Sequence, residues 1–327
     1  MSILVCGGAG YIGSHTVALL KEQGKEVIVI DSLYKGHKEA IPSGVTLYQG
    51  DLRDKVFLKE VFSANDIEAI IDFAADSLVG ESVTEPLKYF NNNVYGTLCL
   101  LETMKEFGVK YIVFSSTAAT YGEPERIPIL ESDPTIPTNP YGETKLAVEK
   151  MLKWCSQAYG IHYTALRYFN AAGAHISGTI GEDHAPESHL IPIILQVALG
   201  KRKEILIFGD DYPTIDGTCV RDYIHVTDLS EAHILALDTM MKTGQSAIYN
   251  LGNGQGFSVM EVVEVARKVT GHSIPTVITG RRAGDPATLI ASSAKATEAL
   301  NWHPKFNSLE KIIETAWKFH KDHPNGY

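Results

Sequence analysis

Cysteines, basic side chains and long apolar runs are all scarce in this sequence. The four cysteines, Cys6, Cys99, Cys155 and Cys219, form no CxxC pair and accompany no signal-peptide or export pattern. Disulfide frameworks belong to oxidising compartments, so we expect free thiols and a cytoplasmic location. No apolar run reaches the roughly 18 to 20 residues that a membrane helix needs, so no membrane partner is expected.

Basic side chains are outnumbered by acidic ones. The chain has 29 Lys and Arg against 39 Asp and Glu, a formal net charge of -10 at pH 7. Binding along a nucleic-acid backbone requires a basic face, so this balance argues against a nucleic-acid partner. Any phosphate that the chain binds must be held locally, by a few groups.

The 327 residues exceed what one hydrophobic core usually serves, so we expect a large domain over 1–170 and a smaller α/β domain over 171–327. Short apolar strands alternate with helical patterns through the first half, which predicts crossover connections. The fold class is therefore α/β, with a doubly wound parallel sheet of the Rossmann type. A possible strand at 221–224, followed by a helical pattern, suggests that residues from about 220 to 245 rejoin this sheet.

Gly7, Gly10 and Gly13 follow the first strand and open a helix, the context that a dinucleotide-binding fingerprint requires. Glycines let the backbone approach a pyrophosphate closely at the helix N-terminus. Asp31 ends the second strand, where a carboxylate binds ribose hydroxyls and repels the extra phosphate of NADP. A lone glycine motif fits a capped turn equally well, but strand, helix and Asp31 together favour NAD.

Two further segments are ambiguous by themselves. Asp51 follows the third strand, where it would either hydrogen-bond an adenine or serve as a helix N-cap. Phe73, Ala74 and Ala75 follow the fourth strand, where small residues either let a cofactor lie against the sheet or serve close packing.

Tyr141 and Lys145 lie four residues apart, on one face of a predicted helix that starts at Pro140. A phenol is a base near neutral pH only when positive charge lowers its pKa, and Lys145 and a nicotinamide could both do so. Thr117, in the hydroxyl cluster after the fifth strand, is the candidate third catalytic residue, relaying the proton. Without the other motifs, Tyr141 and Lys145 would be interpreted as a surface pair, and Thr117 as a residue that forms a turn.

No metal site is expected from the histidines. His175, His184 and His189 are irregularly spaced and have no companion cysteine ligands. We interpret them as loop or substrate-contact residues.

Together these segments resemble the UDP-galactose 4-epimerases (UDP-glucose 4-epimerases), extended members of the short-chain dehydrogenase/reductase family. The similar segments span nearly the whole chain: residues 7–13 (GGAGYIG), 73–75, 79–82, 92–97, 114–122, 139–145, 166–170 (LRYFN), 208–213 (FGDDYP), 217–226 and 249–252. The C-terminal segments are the specific ones, because most short-chain dehydrogenases lack them.

The resemblance implies a Rossmann domain that binds NAD and a second domain that binds a nucleotide sugar. The implied NAD contacts are Gly7, Gly10, Tyr11, Ile12, Gly13, Asp31, Ser32, Leu33, Tyr34, Lys35, Gly36, Asp51, Leu52, Phe73, Ala74, Ala75, Asp76, Ser77, Asn92, Ser115, Tyr141, Lys145 and Phe169. The implied substrate contacts are Thr117, Asn170, His189, Leu190, Leu206, Ile207, Phe208, Arg221, Arg282, Asp285 and Leu289. The two arginines suit a diphosphate, although arginines of this kind also form exposed salt bridges.

Two positions depart from the family pattern. Asp72 replaces a common His before Phe-Ala, and His189 replaces the Asn of an Asn-Leu pair. Leu289 stands where the family varies the residue beside the sugar, and its bulk suggests little room for an N-acetyl group. The family also implies a homodimer through residues 86–107 and 140–159.

The implied activity is reversible epimerisation at carbon 4 of UDP-galactose and UDP-glucose in galactose metabolism, through a 4-keto sugar and tightly held NAD. The alternatives are a UDP-N-acetylglucosamine 4-epimerase, a nucleotide-sugar 4,6-dehydratase and a non-catalytic NAD sensor. Ala118 and Ala119 disfavour the dehydratase, which places an acid there. Retention of Tyr141 and Lys145 disfavours the sensor.

Overall fold

The computed structural model describes residues 1–282 and 286–327. Its strands, in chain order, are β1 Ser2–Cys6, β2 Val27–Asp31, β3 Thr46–Gln49, β4 Ile67–Asp72, β5 Tyr111–Ser115, β6 His162–Tyr168, β7 Asn170–Ala172, β8 Ile205–Phe208, β9 Val220–Arg221, β10 Tyr223–His225, β11 Ala247–Leu251, β12 Phe257–Ser258, β13 Thr276–Thr279 and β14 Thr288–Leu289. Its α-helices are α1 Tyr11–Glu22, α2 Lys55–Ala64, α3 Val79–Thr84, α4 Pro86–Tyr89, α5 Gly96–Phe107, α6 Pro140–Tyr159, α7 Leu190–Ala198, α8 Val226–Thr243, α9 Val259–Thr270, α10 Ala294–Leu300 and α11 Leu309–Asp322.

The large sheet has the order β3-β2-β1-β4-β5-β6-β11, and every neighbouring pair in it is parallel. Both faces are covered, as β1 shows: Ile3 and Val5 enter the core beneath α1 and α8, whereas Leu4 and Cys6 enter the core beneath α2, α5 and α6. Burial on both faces explains why the central strands β1 and β2 are nearly continuous apolar runs. The predicted doubly wound α/β fold is confirmed.

Strand order reverses between β1 and β4, which lie side by side although β2 and β3 intervene in sequence. Ligands of open parallel sheets bind in the crevice at the carboxyl ends of the strands at such a point. The glycine segment follows β1 and residues 73–75 follow β4, so both meet at this crevice.

A smaller lobe is built around α7, α9 and α11, which share one apolar core with β8 and β10. Its strands form the parallel pairs β8–β13 and β7–β10 and the three-stranded group β12–β9–β14. The helix α9 begins with a capping box, in which Ser258 and Glu261 each satisfy the other's backbone N–H.

Two sequence expectations need correction. The strand expected at 221–224 is split into β9 and β10, which lie in two different small sheets, and it is β11 that joins the large sheet beside β6. The helical pattern over 86–107 is interrupted, because residues 90–95 form a π-helical turn between α4 and α5. The division of the chain at residue 170 stays a prediction. None of the helices in the described ranges combines the length and apolar character that a membrane span requires.

Candidate active site

The three glycines of the first turn have separate steric roles. Gly7 has a φ of +71°, and a Cβ on it would lie 2.8 Å from the backbone nitrogen of Ala74. A Cβ on Gly13 would lie 2.1 Å from the carbonyl oxygen of Gly7, so the start of α1 packs directly on the turn. Gly10, the N-cap of α1, has no side chain to occupy the first N–H groups of the helix. Those groups remain available to an anion.

Asp31 is held at the edge of this turn. Its Oδ2 accepts a hydrogen bond from the Ala9 backbone at 2.9 Å and its Oδ1 one from Leu33 at 2.8 Å. Burial raises the pKa of this carboxyl, while the two N–H groups act in the opposite direction. Gly36 packs on Ala9 closely enough that a Cβ would come within 2.9 Å. Residues 31–36 therefore line the glycine turn, and lone pairs of Asp31 remain for further donors.

Asp51 lies at the carboxyl end of β3, beside the buried Leu52. The guanidinium of Arg53 donates to both carboxylate oxygens of Asp51, at 2.9 and 2.5 Å, and it lowers the pKa of this carboxyl. The alternative N-cap role is wrong, because Asp54 caps α2 by accepting from the Val56 and Phe57 N–H groups.

The loop after β4 is tied to α6 by a residue that the sequence did not reveal. The buried Asn93 accepts a hydrogen bond from the Asp76 N–H and donates to the Asp76 carbonyl and to the Thr144 hydroxyl, at 2.8, 3.0 and 3.1 Å. Asn92 precedes it in the π-helical turn, and Ser77 is exposed beside Asp76. Such turns often mark functional sites, and the break in helical periodicity over 90–95 is the signal that could have found it.

Tyr141 reaches Thr117 because α6 starts directly on the turn that follows β5. A Cβ on Gly142 would lie 2.5 Å from the carbonyl oxygen of Ala119, so only glycine allows this approach. Asn139 caps the helix by accepting from the Gly142 N–H at 2.9 Å. Thr117 also stabilises the turn, because its Oγ1 accepts a hydrogen bond from the Ala119 N–H at 3.1 Å. Thr117 therefore has the turn-forming role that was the alternative to a catalytic one.

Lys145 is buried one helical turn after Tyr141, on the same face of α6. Its Nζ donates to the Ser115 carbonyl at 2.9 Å and lies 4.9 Å from the centroid of the Phe114 ring. Burial lowers the pKa of Lys145 to about 8, and the negative charge of Asp72 partly opposes this. The buried Asp72 keeps one oxygen, Oδ2, without a hydrogen bond to any described residue.

The pKa of Tyr141 does not shift in the expected direction. Burial raises it to about 12, and the hydrogen bond to Thr117 only partly opposes the rise. In the chain without a cofactor, Lys145 is directed at the Ser115 carbonyl and does not offset this rise. Desolvation therefore dominates, and a base at this position needs further positive charge.

A buried polar network lies behind β5, and no sequence motif indicates it. Arg167 forms two hydrogen bonds with the Glu149 carboxylate, at 2.9 and 2.5 Å, and donates to the Tyr121 hydroxyl at 2.9 Å. Glu149 accepts from the Ser116 hydroxyl, while Tyr121 donates to Asn250. Glu149 lies one turn beyond Lys145, so the network fixes the helix that carries Tyr141. Ser115 itself hydrogen-bonds the Tyr168 hydroxyl.

The two lobes are joined beside this site. Tyr11 opens α1 before Ile12, and its hydroxyl donates to the Gly173 carbonyl at 2.6 Å. Asn170 starts β7 after the half-buried Phe169, and its side chain donates to the Asp222 carbonyl at 3.0 Å. These contacts place the predicted cofactor and substrate segments in one continuous structure.

Five of the expected substrate residues lie on β8, β9 and β14. Arg282 lies 4.0 Å above the Phe208 ring at the end of β8, whose other predicted contacts are Leu206 and Ile207. Arg221 pairs with Leu289 in the register of β9 and β14, and it donates to the Pro286 carbonyl at 2.9 Å. The predicted contact Asp285 lies outside the described residues.

His189 and Leu190 stand at the start of α7, as the N-cap and first residue of the helix. His189 and His184 are not isolated loop residues, since both face Glu182, whose carboxylate lies 2.5 and 3.4 Å from their Nδ1 atoms. Although the two histidines are irregularly spaced in sequence, they share one carboxylate because the loop folds back on itself.

A sequence profile of the NAD dependent epimerase/dehydratase family matches residues 3–252. The UDP-glucose 4-epimerase of Halalkalibacterium halodurans is 64% identical over 327 residues, covering 100% of this chain and 98% of the relative. A crystal structure of a UDP-glucose 4-epimerase is 59% identical, with a TM-score of 0.99 and 100% and 99% of the two chains covered. The UDP-glucose 4-epimerase of Bifidobacterium longum, in complex with NAD+ and UDP, is 40% identical, with a TM-score of 0.95 over 100% of both chains.

Proposed function

The chain belongs to the NAD dependent epimerase/dehydratase family, and from this premise we propose that it interconverts UDP-galactose and UDP-glucose by epimerisation at carbon 4, with NAD as its cofactor. One observation carries the proposal: Tyr141 hydrogen-bonds Thr117 just past the end of β5, and Lys145, one helical turn later, donates to the Ser115 carbonyl of the same strand. Full-length similarity to UDP-glucose 4-epimerases supports it.

The residues of the crevice fit NAD. The free N–H groups of α1 suit a pyrophosphate, and the Asp31 carboxylate suits ribose hydroxyls and disfavours a further phosphate. A related structure that holds NAD+ and UDP supports the same cofactor. When bound, NAD supplies a hydride acceptor and a positively charged nicotinamide ring.

Tyr141 acts on the proton of the sugar's 4-hydroxyl. In this proposal its phenolate removes the proton, Thr117 holds or relays it, and Tyr141 returns it after the 4-keto sugar has presented its other face. Lys145 stabilises the phenolate from the same face of α6. Because burial alone raises the Tyr141 pKa, this role depends on the positive charge that arrives with the bound cofactor.

The substrate's diphosphate is assigned to Arg221 and Arg282, which bring positive charge to an otherwise acidic chain. Leu289 pairs with Arg221 across β9 and β14, so its side chain belongs to the same region. We infer that its bulk disfavours N-acetylated sugars. Within this proposal the epimerase takes part in galactose metabolism.

Two rival functions are less well supported. A 4,6-dehydratase needs an acid and a base after Thr117, but Ala118 and Ala119 fill that 3-10 turn and transfer no proton. A non-catalytic NAD sensor leaves the buried Lys145 and the Thr117–Tyr141 pair without a role.

A homodimer is part of the proposal. Large apolar side chains remain exposed on the segment 86–107 and on α6: Leu87 at 83%, Tyr95 at 41% and Trp154 at 66%. Burying them against a second copy is favourable. Light scattering coupled to gel filtration should give twice the chain mass, and Leu87→Glu with Trp154→Glu should yield monomers. We also infer a cytoplasmic location, supported by the four free thiols.

The deciding experiment incubates the purified protein with UDP-galactose and with UDP-N-acetylgalactosamine, separately and without added NAD. Formation of UDP-glucose from the first supports the proposal. A dehydrated 4-keto-6-deoxy product, or no turnover even with added NAD, overturns it. Equal rates on both sugars would overturn the Leu289 inference alone, whereas Leu289→Ala should raise the relative rate on the N-acetylated sugar.

A further inference from the structure

The loop between β7 and α7 gathers four side chains that ligate metals in other proteins: Glu182, His184, Glu187 and His189, here called the loop cluster. Each offers one ligand atom, and these atoms all lie within 4.8 Å of one another. The family resemblance implies that His189 contacts the substrate, but the proposed function assigns none of the four residues a metal-binding role.

The ligand atoms point inward at one another. The Nδ1 atom of His184 lies 3.4 Å from Glu182 and 3.7 Å from Glu187. The Nδ1 atom of His189 lies 2.5 Å from Glu182 and 3.6 Å from Glu187. Four ligands at about 2.0–2.1 Å from a central Zn²⁺ would be about 3.3 Å apart in a tetrahedron. The His184–Glu182 separation is close to that value, and the two separations to Glu187, one to each of its carboxylate oxygens, are slightly longer. The 2.5 Å contact between His189 and Glu182 is a hydrogen bond, which a bound ion would have to replace.

Charge gives an independent reason. The side chains of Glu182 and Glu187 are only 4% and 3% exposed, and among the described residues no lysine or arginine forms an ion pair with either. Two buried carboxylates need two compensating positive charges. One divalent cation would supply both charges in place of nearby histidines, which include His320 as well as His184 and His189.

One atom favours the cation. The Nδ1 of His184 is buried, is directed at both carboxylates, and hydrogen-bonds to no described residue. A metal ligand offers its lone pair, and this Nδ1, 3.4 and 3.7 Å from the two carboxylates, is placed to do so. Two imidazole nitrogens with two carboxylate oxygens suit Zn²⁺, while Mg²⁺ and Ca²⁺ prefer oxygen alone.

We propose that the loop cluster is a structural Zn²⁺ site formed by Glu182, His184, Glu187 and His189. The ion joins the loop to the start of α7, where His189 is the N-cap. It also stiffens the surroundings of the glycine turn, because the His184 ring packs edge-on against Tyr11 at 6.3 Å. With Nδ1 on the metal, Nε2 of His189 carries the proton and stays a donor on a half-exposed ring.

Metal content of the full-length, tag-free protein tests the site. After removal of metal with a chelator and gel filtration, ZnCl2 or CoCl2 is added and the excess removed. We expect about one Zn²⁺ per chain by mass spectrometry, visible absorption of tetrahedral Co²⁺, and a Tm that rises with metal. Glu182→Gln and His184→Asn should each weaken Zn²⁺ binding by more than about 100-fold in a chelator competition. Loss of a residue that only hydrogen-bonds a metal ligand typically weakens binding by about 10–100-fold.

His175→Asn is the matched control, because His175 lies in the same loop but contacts Ser177 and Glu22 instead. It should bind Zn²⁺ like the unchanged protein. The site is refuted if the folded protein binds less than about 0.1 Zn²⁺ per chain, or if Glu182→Gln and His175→Asn retain it equally. Circular dichroism of the metal-free variants separates lost binding from lost folding. These readouts do not depend on epimerase activity.

Discussion

The Nζ atom of Lys145 donates a 2.9 Å hydrogen bond to the carbonyl oxygen of Ser115, which joins α6 to the end of β5. Thr117 lies two residues beyond that carbonyl and Tyr141 one helical turn before that lysine. This buried contact, together with the hydrogen bond between Ser116 and Glu149, holds the helix of Tyr141 against the strand that leads to Thr117.

The phenol of Tyr141 should be indispensable for turnover. Tyr141→Phe removes the group that takes and returns the proton, so kcat should fall by at least about 100-fold. Tyr159→Phe, at the exposed end of the same helix, is the control and should keep normal turnover. Conversion of UDP-galactose, measured with Tm and bound NAD, checks this. Near-normal kcat in folded Tyr141→Phe would remove Tyr141 from the mechanism.

Asp72 should tune Lys145. Burial raises the pKa of Asp72 to about 6, and its negative charge supports the protonated form of Lys145, whose pKa is about 8. We expect kcat/KM to fall as the pH rises through about 8, and Asp72→Asn should move this fall to lower pH. The exposed Asp238→Asn should leave the profile in place. If the pH profile of Asp72→Asn is unchanged, Asp72 does not affect the protonation of Lys145.

The same carboxyl should affect stability. Because its folded pKa is raised above the usual value of about 3.9, its contribution is fully present below about pH 4 and is lost as the pH rises through about 6. Asp72→Asn should therefore flatten the pH dependence of the free energy of unfolding between these values. Urea titrations at a series of pH values from 4 to about 7 test this prediction. If the free energy of unfolding changes equally with pH in both proteins, the prediction is contradicted.

Gly13 should tolerate no side chain. A Cβ there would lie 2.1 Å from the Gly7 carbonyl oxygen, so Gly13→Ala must push α1 from the turn. We expect a loss of about 1–3 kcal/mol in the free energy of unfolding, together with weakened NAD retention. Gly80→Ala, where no atom lies within 4 Å, is the control. Wild-type NAD content in Gly13→Ala would show that the turn adjusts.

The Glu149–Arg167 pair should be the most costly ion pair to break. Both side chains are about 95% buried, so Glu149→Gln leaves the guanidinium without its counter-charge, which typically costs about 3–5 kcal/mol. Glu314→Gln breaks the exposed pair with Lys311 and should leave stability nearly unchanged. Urea unfolding measures the stability of both variants. Equal midpoints would contradict the prediction and mean that structural relaxation or water stabilises the unpaired charge of Arg167.

The sequence by itself determined the parallel sheet, the glycine turn with Asp31, and the Tyr141–Lys145 spacing. These features depend on local patterns: strand and helix periodicity, backbone sterics and the pitch of one helix. The tertiary structure decided what depends on contacts between distant segments. It placed β11 in the large sheet, paired Glu149 with Arg167, and put Asp72 beside Lys145.

The tertiary structure also decided the direction of the Tyr141 pKa shift and the grouping of the loop histidines. Burial is a property of the packed molecule, and spacing along the chain does not show whether it outweighs a neighbouring ammonium. Glu182 and His189 are close because the loop folds back on itself, which no regular periodicity encodes. Local chemistry was therefore readable from the sequence, whereas the electrostatic environment of each group required the fold.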